Sequence, residues 1–352
     1  MELNEILQVA LRAGASDIHL KAGLPPMFRV DGSLVPLKDA RRLPPEEIAR
    51  MAFAIMNEYQ KEKFKQTNEV DLAYGVPGLG RFRVNIFQQR GTIGVVLRVI
   101  PFKIQSIEQL MLPTILEKVA GEQRGLVLVT GTTGSGKSTT LAAMIDHINA
   151  TETCHIMTIE DPIEFLVRDK RSIVNQREVG LDTKSYARAL RGVVRAAPDV
   201  ILIGEIRDKD GMEAAINLAG TGHLVLATLH ANNCAESLDR IINMFPREQH
   251  NQIFLDLSQY LRAIMAQRLV MGKDTRRLAA VEIMINTPHI ATLIKKGDVV
   301  SIKEAINLSG DKGIQSFDAA LHELYKKGRI SLEEALLHAD SRANLEAKIN
   351  FG

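Results

Sequence analysis

Gly131-Thr132-Thr133-Gly134-Ser135-Gly136-Lys137-Ser138-Thr139 fits the phosphate-loop pattern G-x-x-x-x-G-K-[ST] without a mismatch. The flanking residues decide how to read it. Gly125-Leu-Val-Leu-Val-Thr130 is a short apolar run dense in β-branched residues, and Leu141-Ala-Ala-Met-Ile-Asp-His-Ile148 has helical spacing. Strand, loop and helix therefore follow in the order the motif requires. Glycines let backbone N–H groups close around phosphate oxygens, while the helix turns its positive N-terminus toward them. Nucleotide contacts are expected from Thr132, Thr133, Gly134, Ser135, Gly136, Lys137, Ser138 and Thr139. Lys137 is expected to reach the β- and γ-phosphates of ATP, and the Ser138 hydroxyl to hold Mg2+.

From Gly125 onward the pattern is strand alternating with helix, with strands expected at 125–130, 155–160, 200–205 and 223–229. Such alternation predicts a mostly parallel sheet whose ligand sits at the carboxyl ends of the strands. After about residue 235 the chain reads as largely helical. Ser331-Leu-Glu-Glu334 predicts a capping box opening a helix through His338, and Gly328 ends the helix before it.

Upstream the pattern differs. Leu3, Ile6, Leu7, Ala10 and Leu11 share one helical face, with Gly14 as the stop. Residues 16–20 alternate as a strand, and 27–30 and 34–37 flank Asp31-Gly32 as a hairpin. A second helix follows Pro44-Pro45, and three more strands fit at 69–75, 80–88 and 93–100. Helices mixed with antiparallel strands make residues 1–100 a separate α+β domain. A linker is expected over 101–113, and an α/β nucleotide-binding domain with a helical C-terminal region over 114–352.

The 352 residues carry 44 basic and 42 acidic side chains, a net charge of +2. No charged block argues for nucleic acid or an anionic membrane as partner. Cys154 and Cys234 fit no metal spacing, which points to a reduced, cytoplasmic setting. The start, Met1-Glu-Leu-Asn-Glu5, does not read as a signal peptide. No apolar run approaches the ~20 residues of a membrane span, so no direct membrane insertion is expected.

A phosphate loop alone says only that a nucleoside triphosphate binds. Hydrolysis also needs a metal site, a group that orients water and a stabiliser of γ-phosphate charge. Val200-Ile-Leu-Ile203 ends in Gly204-Glu205, with glycine where a metal-holding aspartate usually stands, leaving Glu205 as the acid at that strand tip. Glu160, at the end of the strand before Asp161-Pro162-Ile163-Glu164, is the second candidate for polarising water or contacting Mg2+. His230 stands at the carboxyl end of 223–229 as a γ-phosphate sensor, and His223 at the opposite end. Arg81, Arg83 and Asn85 alternate with Phe82, Val84 and Ile86, so one face of that strand is basic and the other enters a core. Arg81 and Arg83 are thus candidates for arginines supplied in trans to a neighbour's nucleotide. Arg195 and Arg207, which bracket the Glu205 strand in sequence, are weaker ones.

Taken together, these stretches resemble the type IV pilus retraction ATPases, the PilT/PilU group of the type II/IV secretion ATPase superfamily. The resemblance runs through Gly14-Ala-Ser-Asp-Ile-His-Leu20, Gly80-Arg-Phe-Arg-Val-Asn85, the phosphate loop, Thr158-Ile-Glu-Asp-Pro-Ile-Glu-Phe165, Pro198-Asp-Val-Ile-Leu-Ile-Gly-Glu205 and Gly220-Thr-Gly-His-Leu-Val-Leu-Ala-Thr-Leu-His-Ala-Asn232. It implies a PAS-like N-terminal domain, a RecA-like ATPase domain and a homohexamer driving pilus retraction. An inner-membrane platform protein and a paralogous retraction ATPase are its implied partners, and the cytoplasmic face of the inner membrane its implied location. The chain lacks the four-cysteine zinc loop often carried by assembly and secretion relatives. Where the retraction motif reads Ala-Ile-Arg-Asn-Leu-Ile-Arg, it has His289-Ile-Ala-Thr-Leu-Ile-Lys295. An accessory retraction ATPase, or an assembly or secretion ATPase, is the alternative within the superfamily. A nucleic-acid translocase and a non-hydrolysing assembly factor are alternatives outside that function.

Overall fold

The computed structural model describes residues 2–100, 103–308 and 313–351. The chain divides into two compact units, Met1–Lys103 with Glu164–Leu166, and Ile104–Ile163 with Val167–Gly352.

In the first unit, period-two alternation builds one antiparallel sheet from β1 (Asp17–Leu20), β2 (Met27–Val30), β3 (Ser33–Pro36), β4 (Glu69–Val76), β5 (Gly80–Gln89) and β6 (Thr92–Ile100). Their spatial order is β3-β2-β1-β6-β5-β4. On β5, Phe82, Val84 and Ile86 are fully buried while Arg81, Arg83 and Asn85 take the other face. Ile6, Leu7 and Ala10 of the helix Leu3–Arg12, and Ile48, Met51 and Ala52 of the helix Pro45–Ile55, complete that core. Asp31 and Gly32 both have positive φ, 48° and 81°, which suits the tight turn between β2 and β3. The helix Glu58–Thr67, which was not expected, buries only Phe64 and is otherwise polar.

The second unit is a seven-stranded sheet. In chain order its strands are β7 (Gly125–Thr130), β8 (His155–Glu160), β9 (Ile173–Glu178), β10 (Val200–Ile203), β11 (Leu224–Leu229), β12 (Leu261–Met271) and β13 (Arg277–Ile285). In space they run β13-β12-β7-β11-β10-β8-β9, all parallel except β13, which pairs antiparallel with β12. Leu126 and Leu128 of β7 enter the core on one face, and Val127 and Val129 the core on the other. Burial on both faces is why β7, β10 and β11 read as continuous apolar runs rather than alternating ones.

The expected parallel sheet is present, and three strands join it that were not expected. The stretch after residue 235, read as largely helical, contains the β12–β13 hairpin. Leu261-Arg-Ala-Ile-Met-Ala-Gln-Arg-Leu-Val-Met271 mixes good helix formers with apolar residues, and a two-sided buried strand of that make-up has the same look as a buried helix. Within the expected linker, Ile107 and Leu112 are buried in a core of the second unit, while Pro101 and Phe102 lie outside the described residues. Ser331 caps the helix Leu332–Leu337 by accepting the Glu334 N–H. The box is not reciprocal, because the Glu334 carboxylate instead accepts the Met271 N–H at 2.6 Å.

Candidate active site

The buried strand β7 delivers the chain into the phosphate loop, and the helix Lys137–Thr151 carries it away. The loop needs glycine where φ is positive, and at Gly131 for lack of room as well. Gly131 has φ 145°, and a Cβ there would stand 2.6 Å from the Gln267 carbonyl oxygen and against the Ser135 hydroxyl. Gly136, the residue before the helix, has φ 93°. Thr132, Thr133 and Gly134 form the exposed rim, Ser138 is exposed on the first helical turn, and Thr139 is half-buried.

Lys137 is 8% exposed, and its ammonium donates to the carbonyl oxygens of Gly131 and Thr132, both at 2.9 Å. Burial lowers its pKa, and the charge of Glu205 works the other way. Held by its own loop, the ammonium is placed where phosphate oxygens would replace the two carbonyls as partners. Ser138, Glu160 and Glu205 offer hard oxygens, the chemistry Mg2+ prefers. Among the described residues, no group of three or more His, Cys, Asp or Glu is arranged to hold a metal ion.

Parallel register brings the carboxyl ends of β8, β10 and β11 to the same edge of the sheet as the phosphate loop. There the Glu205 carboxylate has a partner on each oxygen: His230 Nε2 lies 2.9 Å from Oε1, and Arg207 Nε donates to Oε2 at 2.9 Å. The hydrogen bond Arg207 donates to Glu205, together with the charge of that carboxylate, holds the guanidinium above its usual pKa. Arg207 also lies 3.8 Å from Asp161. Glu160 Oε1 accepts from the Thr158 hydroxyl at 2.6 Å and from Gln176 Nε2 at 3.1 Å. The peptide bond Asp161–Pro162 is cis.

Of the residues singled out from sequence, Glu205, His230 and Arg207 are in direct contact, and Lys137 feels the charge of Glu205. His223 and Arg195 are elsewhere in this unit. His223 precedes β11, its Nδ1 3.0 Å from the Leu218 carbonyl oxygen, and Arg195 is exposed ahead of β10. Arg81 and Arg83 belong to β5 of the first unit, paired in register with Gly75 and Ala73 of β4.

Four residues at this edge were not anticipated. Thr158 and Gln176 hold Glu160. Thr228 donates to the Gly204 carbonyl at 2.5 Å. Tyr186, the first residue of the helix Tyr186–Val193, places its hydroxyl 3.0 Å from where a Cβ on Gly204 would be. Burial raises the Tyr186 pKa, and the charges of Asp161, Glu205 and Glu160 raise it further while Arg207 opposes them. Nothing in the sequence ties Tyr186 to this strand tip, nineteen positions by count from Glu205.

A parallel sheet with a phosphate loop after one strand and acids at the tips of its neighbours defines a P-loop ATPase domain of the RecA-like class. Comparison with known proteins narrows this. The family described as Type II/IV secretion system protein matches residues 1–345, and the chain belongs to that family. The type IV pilus ATPase PilU of Pseudomonas aeruginosa is 46% identical over 353 residues, spanning 100% of this chain and 92% of that protein. The type IV pilus retraction ATPase PilT of the same organism is 45% identical over 340 residues, spanning 95% and 97%. The crystal structure of the pilus retraction motor PilT with bound ADP matches with a TM-score of 0.91 and 43% identity, covering 98% of this chain and 99% of that one. The RecA-like domain with a smaller N-terminal α+β unit is thus the fold of this chain.

Proposed function

We propose that the chain is a Mg2+-dependent ATP hydrolase that works as a homohexamer at the cytoplasmic face of the inner membrane, driving type IV pilus retraction through a platform protein. The observation that carries this reading is the Glu205–His230 contact of 2.9 Å at the sheet edge that also carries the phosphate loop. It joins a group able to orient water to one able to sense the γ-phosphate. Lys137 neutralises the β- and γ-phosphates. Ser138, with Glu160 or Glu205 directly or through water, would hold Mg2+, which when bound would neutralise phosphate charge. Glu205, or Glu160 held by Thr158 and Gln176, orients the attacking water. Arg81 and Arg83 are supplied in trans to a neighbouring subunit's nucleotide.

Glu205→Gln is expected to leave ATP binding intact and abolish phosphate release. Normal hydrolysis by that variant would remove Glu205 from the mechanism. In cells, deleting the gene is expected to leave pili extended and accumulating, and unchanged piliation would remove the retraction role.

The accessory retraction role is a second reading, favoured by the altered motif His289–Lys295 and by the near-equal identity to PilU and PilT, 46% and 45%. In that role, the chain depends on a paralogous retraction ATPase. Deleting the paralogue as well as this chain would then add nothing to deleting the paralogue alone.

A further inference from the structure

His230 is held on both sides by one residue of the strand that feeds the phosphate loop. Thr130 ends β7 and Leu229 ends β11, and the two form the last pair of the parallel ladder between these strands. Past that pair, the Thr130 hydroxyl donates to the Ala231 carbonyl at 2.9 Å, one residue beyond His230. Thr130 is followed directly by Gly131, whose carbonyl takes the Lys137 ammonium at 2.9 Å. A second hydroxyl does the same on the other side of β11. Ile203 and Ala227 are the last pair with β10, and the next residue of β11, Thr228, donates to the carbonyl of Gly204, the neighbour of Glu205. Thr130 is fully buried and Thr228 is 4% exposed, in strands whose other residues are aliphatic or glycine. A hydroxyl taken into such a strand costs desolvation unless it is bonded, and valine offers the same branched shape without it.

We infer that Thr130 and Thr228 are positioning residues, their hydroxyls fixing His230 relative to the phosphate loop and to Glu205 so that the imidazole meets the γ-phosphate of a bound nucleoside triphosphate. This rests on the hydrolase reading above. His230 is the single residue between two fixed points, Leu229 in the ladder and Ala231 on the hydroxyl, and both points belong to Thr130. Its ring then closes the arrangement by contacting Glu205 at 2.9 Å, on the strand tip that Thr228 ties down. A diphosphate lacks the group that the histidine meets. The two threonines therefore set the preference for triphosphate over diphosphate as well as the rate.

The test uses the full chain, with a non-hydrolysable ATP analogue and ADP as probes. Thr130→Val keeps the branched shape and removes the hydroxyl, while Thr130→Ser keeps the hydroxyl. The valine variant is expected to lower the ratio of analogue to ADP affinity about three- to tenfold, the worth of one hydrogen bond, with ADP affinity within about twofold of the parent's. The serine variant is expected to restore the ratio. Thr228→Val, which breaks the tie on the Glu205 side, is expected to lower it too, and it carries the comparison alone where Thr130→Val does not fold. His230→Ala by itself is expected to lose the preference, and adding Thr130→Val to it to change the ratio by less than about twofold, because the hydroxyl acts through the histidine. Valine variants that melt lower but keep the parent's ratio would show hydroxyls that only hold strand ends, and overturn the inference. Equal losses for both probes overturn it too, as does an undiminished effect of Thr130→Val in the His230→Ala chain. A parent protein that binds the analogue yet releases no phosphate from ATP sinks the hydrolase reading instead, and the affinity ratio still decides how His230 is placed.

Discussion

Gly131 is the residue on which the phosphate loop turns. Its φ of 145° is costly for any residue with a Cβ, and the added carbon would meet the Gln267 carbonyl oxygen at 2.6 Å. Gly131→Ala is therefore expected to destabilise the protein by about 2 kcal/mol or more, and to weaken nucleotide binding at the same time. Thermal melts with and without ATP check this; a melt equal to the parent's would mean that the loop relaxes at no cost. Residues of this kind are legible because phosphate binding by backbone N–H groups demands a fixed local string. Glu205 and His230 were readable for a related reason, since each ends an apolar run. Gln176 and Tyr186 were not. Gln176 sits on a polar edge strand without hydrophobic signal, and Tyr186 opens an amphipathic helix where an aromatic residue ordinarily packs in the core.

At the scale of elements, the β12–β13 hairpin does more than close the sheet. Register places Thr130, Ala266 and Glu282 in one row across β7, β12 and β13. Both ends of the row hold the turn after His230: the Thr130 hydroxyl donates to the Ala231 carbonyl at 2.9 Å, and the Cys234 N–H donates to Glu282 at 2.7 Å. Glu282 is 5% exposed, and burial pushes its carboxyl above the usual range, against the pull of the Cys234 N–H. Because the folded-state value is raised, the carboxylate costs stability once pH has risen through it, and the cost fades as pH falls toward the unfolded value. Glu282→Gln keeps an acceptor for the Cys234 N–H and removes the charge. It is expected to melt higher than the parent at pH 7, by roughly 2–4 °C per kcal/mol gained, with the two melts converging in acid. A gap independent of pH would assign the effect to packing alone. None of this row is readable in sequence, because its contacts join residues 48 and 101 positions apart.

For the whole molecule, the division into an α+β half and a parallel α/β half was legible from the change of hydrophobic period near Gly125. The period switches because buried parallel strands lose the alternation that half-exposed antiparallel ones keep. The proposal that Arg81 and Arg83 act in trans makes a prediction only an assembly can meet. Lys137→Ala and Arg83→Ala are each expected to be nearly inactive alone, since an arginine finger is worth ~10³–10⁵ in rate. Mixed before assembly, they are expected to recover part of the ATPase activity, because some sites then pair an intact loop with a neighbour's intact arginine. No recovery on mixing would place the arginines outside a neighbour's site. The contacts of Glu205 have a consequence within a single chain. With His230 on one oxygen and Arg207 on the other, the carboxylate is held in one orientation and keeps a second lone pair on each oxygen with which to accept from a water. A base already aimed before its substrate arrives has no reorientation left to undergo at the moment of reaction.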